Sequence, residues 1–170
     1  MSVYKEFAAG NEEYRKTFGD KGNLAIPPKR KLIILTCMDS RINPPQQLGL
    51  HEGDAHIIRN AGGIAKDALR SIVISQRMLG TREIAVFHHS DCGMVKFTTP
   101  QLRDILKDEA AIPADSATAA DGMEFLEFTD EEEAVREDVK FLQENPLVLR
   151  GTKVTGWLYH PSTGKVRFLF

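Results

Sequence analysis

Cysteine is scarce in this 170-residue chain: Cys37 and Cys92 are its only two. Two thiols cannot build the multi-bridge framework that staples small secreted domains, so stability has to come from a buried core. Both thiols are expected to be reduced. Long apolar runs are missing as well, since no stretch approaches the ~20 residues that span a bilayer. The opening Met1-Ser2-Val3-Tyr4-Lys5-Glu6 lacks the basic-then-apolar layout of a secretory signal. A cytoplasmic location without a membrane partner is therefore expected. Neither sign of charge dominates: 22 basic residues face 24 acidic ones, a formal net charge of −2, which offers no basic surface for nucleic acid. What the chain does have, 42% hydrophobic and 27% charged residues, is the balance of a folded globular protein. Its length fits one domain over 1–170.

Apolar runs and helical periods alternate along the chain, the pattern of an α/β fold with a mainly parallel sheet. Leu32–Thr36 is a continuous apolar run suited to a strand buried on both faces. Ala55–Ile58, Glu83–His88 and Val154–Tyr159 are three more candidates. Val166–Phe170 is a fifth, joined to the fourth by Pro161-Ser162-Thr163-Gly164, a turn sequence that predicts a hairpin and an antiparallel edge strand. Ile64, Ala68, Leu69, Ile72, Val73 and Leu79 recur with helical spacing before a stop at Gly80. Tyr4, Phe7, Ala8 and Tyr14 mark an N-terminal helix, set off from the first strand by Pro27-Pro28; it reads either as an arm on another surface or as a helix on its own core. Ile112–Phe128 reads as a long loop. A helix begins at Thr129-Asp130-Glu131-Glu132-Glu133, where early acids suit the positive end of the helix dipole, and Pro146 ends it. The acids from Asp104 to Asp138 follow no convergent period and read as a solvated face rather than a metal site.

Chemistry concentrates just beyond the strands, where ligands bind in open parallel sheets. Cys37 follows the first strand and Cys92 the third, within His88-His89-Ser90-Asp91-Cys92-Gly93. If the two strands are neighbours, Cys37, His89 and Cys92 make a set suited to Zn2+, two thiolates and an imidazole with the fourth tetrahedral position open. Against this stands the ordinary role of a buried cysteine as a small hydrophobe. Asp39 and Arg41, two apart, share a side in extended chain. The arginine fork suits a bidentate grip on the carboxylate; an ordinary surface pair would stabilise by only about 0–1 kcal/mol. Arg59-Asn60-Ala61-Gly62-Gly63 lies between a strand and a helix. Gly62 there would admit close approach of an anionic ligand, while Gly63 reads as a tight turn. Phe87 would wall an apolar pocket or simply pack in the core. Adjacent strand residues face opposite ways, so His88 should not share a metal with His89; a proton shuttle and a packing role are both open to it. His51, His56 and His160 have no ligand spacing.

Together, Cys37-Met38-Asp39-Ser40-Arg41 and His89-Ser90-Asp91-Cys92 resemble the two signatures of the β-class carbonic anhydrases, Cys-x-Asp-x-Arg and then His-x-x-Cys some fifty residues later. Arg59-Asn60-Ala61-Gly62 is similar to the segment between those motifs, and the length matches the small, minimal members. The resemblance implies Zn2+ on Cys37, His89 and Cys92 with water or hydroxide in the fourth position, and an Asp39–Arg41 dyad that orients it. In some members the equivalent aspartate binds the metal instead, so Asp39 would be a ligand only in a closed state. It implies reversible hydration of carbon dioxide to bicarbonate. His88-His89-Ser90-Asp91-Cys92-Gly93-Met94 also resembles a subgroup that includes carbonyl sulfide or carbon disulfide hydrolases, a rival use of the same centre. A non-catalytic zinc- or bicarbonate-binding module would need neither Asp39 nor Arg41. The family further implies a homodimer or larger homo-oligomer whose N-terminal helices and sheets pack together, which suits the aromatic face of Tyr4, Phe7 and Tyr14.

Overall fold

The computed structural model describes residues 2–108 and 120–170. Five strands form one sheet in the order β2-β1-β3-β4-β5. These are β1 (Leu32–Cys37), β2 (Ala55–Asn60), β3 (Glu83–His89), β4 (Lys153–His160) and β5 (Lys165–Phe168). The first four are parallel and β5 pairs antiparallel with β4, the edge hairpin expected from Pro161–Gly164. Every strand of the sequence reading is present. β2 runs two residues further than the apolar run did, because Arg59 and Asn60 still pair with Thr36 and Cys37. β3 likewise extends to His89.

The helices are α1 (Phe7–Arg15), α2 (Pro44–Leu48), α3 (Ala65–Leu79), α4 (Thr99–Asp108) and α5 (Glu131–Glu144). α3 ends at Gly80, which takes the left-handed conformation (φ 77°) that closes a helix without a Cβ penalty. α5 begins at Asp130, whose carboxylate accepts the Glu133 amide at 2.8 Å, an N-cap that satisfies one free helix donor. The short α2 and the helix α4 were not anticipated. Residues 112–119 of the expected loop over 112–128 lie outside the described residues.

α3 and α5 cover one face of the sheet, burying Ile33, Leu35, Ile72, Ile84, Val86, Val135 and Leu142. The opposite face buries Ile34, Ile42, Ala85, Phe87, Met94 and Tyr159, together with both cysteines. Each fully buried aliphatic or aromatic side chain contributes roughly 1.5–3 kcal/mol of transfer free energy. α1 is different, because it buries no residue: Tyr4 and Phe7 are 65% and 66% exposed. Of the two readings of this helix, the structure supports the arm. The Tyr14 hydroxyl donates to Glu52 on the body, and Lys21, beyond the helix, pairs with the same carboxylate.

α5 lies against β4 at Gly156, where an added Cβ would come within 2.7 Å of Val135 Cγ1 and 2.8 Å of Phe170 Cδ2. Gly156→Ala should therefore lower stability by about 1–3 kcal/mol, the usual cost of overpacking a core. Urea unfolding with an unchanged midpoint would show that α5 does not seat as described.

Candidate metal centre

The ends of β1 and β3 are brought level by their parallel register, with Thr36 opposite Phe87. Cys37 is the last residue of β1, and His89 the last of β3. A tight turn through Ser90 and Asp91 then returns Cys92 to the same point; Asp91 takes the left-handed conformation at φ 55° to make it. The Cys37 and Cys92 sulfurs lie 4.0 Å apart. One ligand atom from each of Cys37, His89 and Cys92 falls within 4.8 Å of the others, the one such group among the described residues. The acidic stretch forms none there.

The donor chemistry fits a metal. His89 Nδ1 donates to the Ser90 carbonyl at 3.0 Å, so the lone pair is left on Nε2. Nε2 is buried and has no hydrogen-bond partner, a costly state for a polar atom unless something binds there. The sulfurs are steadied by main-chain amides. Those of Asp39 and Gly62 reach Cys37, and that of Met94 reaches Cys92. The hydrogen bond from Cys92, helped by His89 and those amides, holds the Cys37 thiol below its ordinary range against the effect of burial. The same bond pushes the Cys92 thiol up. Burial opposes charge on His89, but the neighbouring Cys37 and Asp39 outweigh it and raise its pKa.

Asp39 sits beside this cluster, its Oδ2 3.7 Å from His89 Nε2. Arg41 holds it there. Nε donates to Oδ1 at 3.0 Å, Nη2 donates to Oδ2 at 2.8 Å, and the Arg41 amide donates to Oδ1 at 2.8 Å. The pair does not come from extended chain, as the two-residue spacing suggested. A turn closed by Ile42 N–H on Asp39 O at 3.1 Å folds the arginine back over the carboxylate. Those hydrogen bonds hold the Asp39 carboxyl down to about 2, so it is ionised throughout the neutral range.

Three supporting residues carry no local signature. Arg59 donates to the Cys37, Asp39 and Ile42 carbonyls, pinning the loop from β1 to β2. Asp91 accepts from Arg41 Nη1 at 3.1 Å and pairs with Lys96. Asp138 on α5 meets His88. Arg59 lies in a segment the motif reading did quote, but its targets are main-chain carbonyls that no pattern encodes. Gly62 (φ 82°) offers its amide to Cys37, while Met94, Phe128 and Ile64 fill the space where a Cβ would stand. Gly63 (φ 78°) makes the tight turn expected of it. Phe87 is fully buried and stacked on Tyr159, which is core packing.

Known proteins share this fold. The family model for carbonic anhydrase matches residues 32–166. The chain is a member of the β-carbonic anhydrase family. It is 38% identical over 167 residues to a β-carbonic anhydrase 1 of Mycobacterium tuberculosis, covering 98% of this chain and 97% of the relative. It is also 32% identical over 160 residues to a carbon disulfide hydrolase of Acidianus sp., covering 84% of this chain and 78% of that one. Among solved structures, a carbonic anhydrase from Glaciozyma antarctica superposes with a TM-score of 0.95 at 47% identity, over 99% of each chain. Zinc is the metal this family uses, and the Cys37–His89–Cys92 cluster is able to bind it.

Cys92→Ser should abolish stoichiometric zinc binding, read by elemental analysis of the purified chain; full occupancy would contradict the ligand assignment. The Asp39 carboxyl should titrate near 2 by carbon-13 NMR, and Arg41→Ala should move it up toward the ordinary value of about 3.9. Its depressed pKa means the pair stabilises the fold above that ordinary value and is lost as pH falls through the lower one.

Proposed function

We propose that this β-carbonic anhydrase hydrates carbon dioxide to bicarbonate and a proton, reversibly, as one domain over 1–170 and with zinc on Cys37, His89 and Cys92. The observation that carries the reading is an ionised aspartate held by arginine at the edge of a buried two-thiol, one-imidazole cluster. A structural zinc site needs no such carboxylate. Bound zinc supplies a nucleophile at neutral pH by lowering the pKa of its water from 15.7 toward about 7.

The chain's own residues do the rest. Asp39 would accept a hydrogen bond from the O–H of the attacking oxygen, which aims an oxygen lone pair at the electrophilic carbon. Arg41 keeps Asp39 off the metal; if it let go, the carboxylate would have little distance to cover before becoming a fourth ligand. That closed arrangement is the second state of the site. Ser90 O fixes the His89 tautomer and ring, and the amides of Asp39, Gly62 and Met94 disperse negative charge on the sulfurs.

The second reading is hydrolysis of carbonyl sulfide to carbon dioxide and hydrogen sulfide, or of carbon disulfide with two waters to the same products. The relatives named carbon disulfide hydrolase favour it. Carbon dioxide stands first because the relatives named carbonic anhydrase match the chain at higher identity, 38% and 47% against 32% and 30%. Parallel stopped-flow hydration and sulfide-release assays on the zinc-loaded chain decide between them; activity in neither would leave a non-catalytic zinc- or bicarbonate-binding module. Arg41→Ala should keep its zinc yet lose most activity, by about 10²-fold for a displaced positioning group. Normal turnover in that variant would remove Arg41 from the mechanism.

The working form is a homodimer or larger homo-oligomer in the cytoplasm. Two features support self-association: α1 buries nothing, and Tyr4, Phe7 and Ile26 stand at least 65% exposed. An arm of this kind gains stability only on a partner surface. Light scattering at micromolar concentration should return at least twice the 19.0 kDa chain mass; a fully active monomer would refute it. Among the described residues no helix is long and apolar enough to cross a membrane.

A further inference from the structure

His88 is a buried titratable group that the proposed reaction does not use. Its side chain is 1% exposed, and it faces away from the metal cluster toward Asp138 on α5. Nε2 lies 3.0 Å from Asp138 Oδ2 and 3.3 Å from the Gly63 carbonyl. Both neighbours only accept when the carboxyl is ionised, so the ring proton sits on Nε2 and donates to them. Nδ1 is buried without a partner, which the bare lone pair tolerates better than an unpaired N–H would. The other oxygen of Asp138 accepts the Ala65 amide at 2.9 Å, at the start of α3. Phe128 closes the far side by stacking on the imidazole, centroids 5.9 Å apart.

The carboxylate thus joins the end of β3 to the first residue of α3, and the same His88 Nε2–H ties in the turn after β2 through Gly63 O. We propose that His88 and Asp138 are positioning residues for the metal centre, clamping the Asn60–Ala65 turn so that it stays seated against the Thr36–Cys37 backbone. The proposal rests on the metal centre assigned above and deepens it. The turn is in hard contact with the ligand strand: a Cβ on Gly63 would stand 2.9 Å from Thr36 C and 3.0 Å from Cys37 N. Asn60 ties the turn at its other end, donating to Ile64 O and accepting from Ile64 N–H. A shift of Gly63 is passed directly to the backbone of Cys37 and moves the amide next to it. Outer partners of metal ligands typically change affinity by about 10–100-fold when removed.

Asp138→Asn is the sharpest probe. Its single side-chain oxygen cannot serve both Ala65 N–H and His88 Nε2–H. A tautomer switch in His88 would bury an unpaired Nδ1–H and set the Nε2 lone pair against the Gly63 carbonyl, so every arrangement leaves one group unsatisfied. The measurement is zinc affinity by equilibrium competition with a chromophoric chelator on the full chain, beside the melting temperature. Asp138→Asn should bind zinc about 10–100-fold more weakly, and His88→Met should match it. His88→Gln, whose amide nitrogen can take the place of Nε2, should stay within about three-fold of the wild type. A merely architectural pair would lower the melting temperature and leave the zinc affinity of the folded chain unmoved, and that result overturns the proposal. So does a folded His88→Gln as impaired as His88→Met, or a His88→Gln that binds zinc 10-fold more weakly should the other two variants not fold. Failure of the wild-type chain to bind one zinc would sink the metal centre itself; normal wild-type binding with indifferent variants sinks only the clamp.

Discussion

Parallel pairing of β1 with β3 is the constraint on which the rest of this structure depends. Because the two strands run the same way and in register from Leu32 opposite Glu83, both finish at the same level of the sheet. Two segments distant in sequence then deliver one thiol, one imidazole and a second thiol to a single point. The strands on either side complete the setting. β2 flanks β1 and brings Arg59 against the loop that carries Asp39. β4 flanks β3, and Tyr159 O accepts the Ser90 amide at 2.9 Å, fixing the turn between His89 and Cys92.

The centre reconciles two opposed demands. Thiolates and an imidazole buried among Phe87, Met94 and Tyr159 would be expensive if left unpaired. Main-chain amides and a carbonyl on Nδ1 offset part of that cost, and a metal cation on the remaining lone pairs would offset more. Asp39 is treated differently, standing at the margin with its charge neutralised by a more exposed arginine. The carboxylate is thereby close to the cluster but already engaged by Arg41.

β3 has a division of labour written into its pleat. His89 faces the metal cluster and His88 the α3–α5 side, one residue and one face apart. Both imidazoles are held by oxygen acceptors, but on opposite nitrogens. His89 donates from Nδ1, which frees Nε2 for a ligand role. His88 donates from Nε2 into a carboxylate and a carbonyl on the face away from the metal cluster. Neighbouring histidines of identical intrinsic chemistry acquire different roles from their acceptors.

The sequence by itself determined the α/β class, the five strands, the edge hairpin and the candidate ligands, because these are carried by local periodicity, turn residues and short motifs. Leu32–Thr36 reads as a buried strand from its composition alone, and Gly80 stops α3 for a purely steric reason. The pairing of Asp39 with Arg41 was legible too, although a turn rather than extended chain creates it. Only the tertiary structure decided what depends on long-range contact. α2 was illegible because five residues are too few to show a helical period. Asp138 looks like one more acid on a solvated helix, and Arg59 like one more surface base. Each has its role because the chain returns from far away to place an unpaired donor or a row of carbonyls within its reach, and residue spacing carries no record of that.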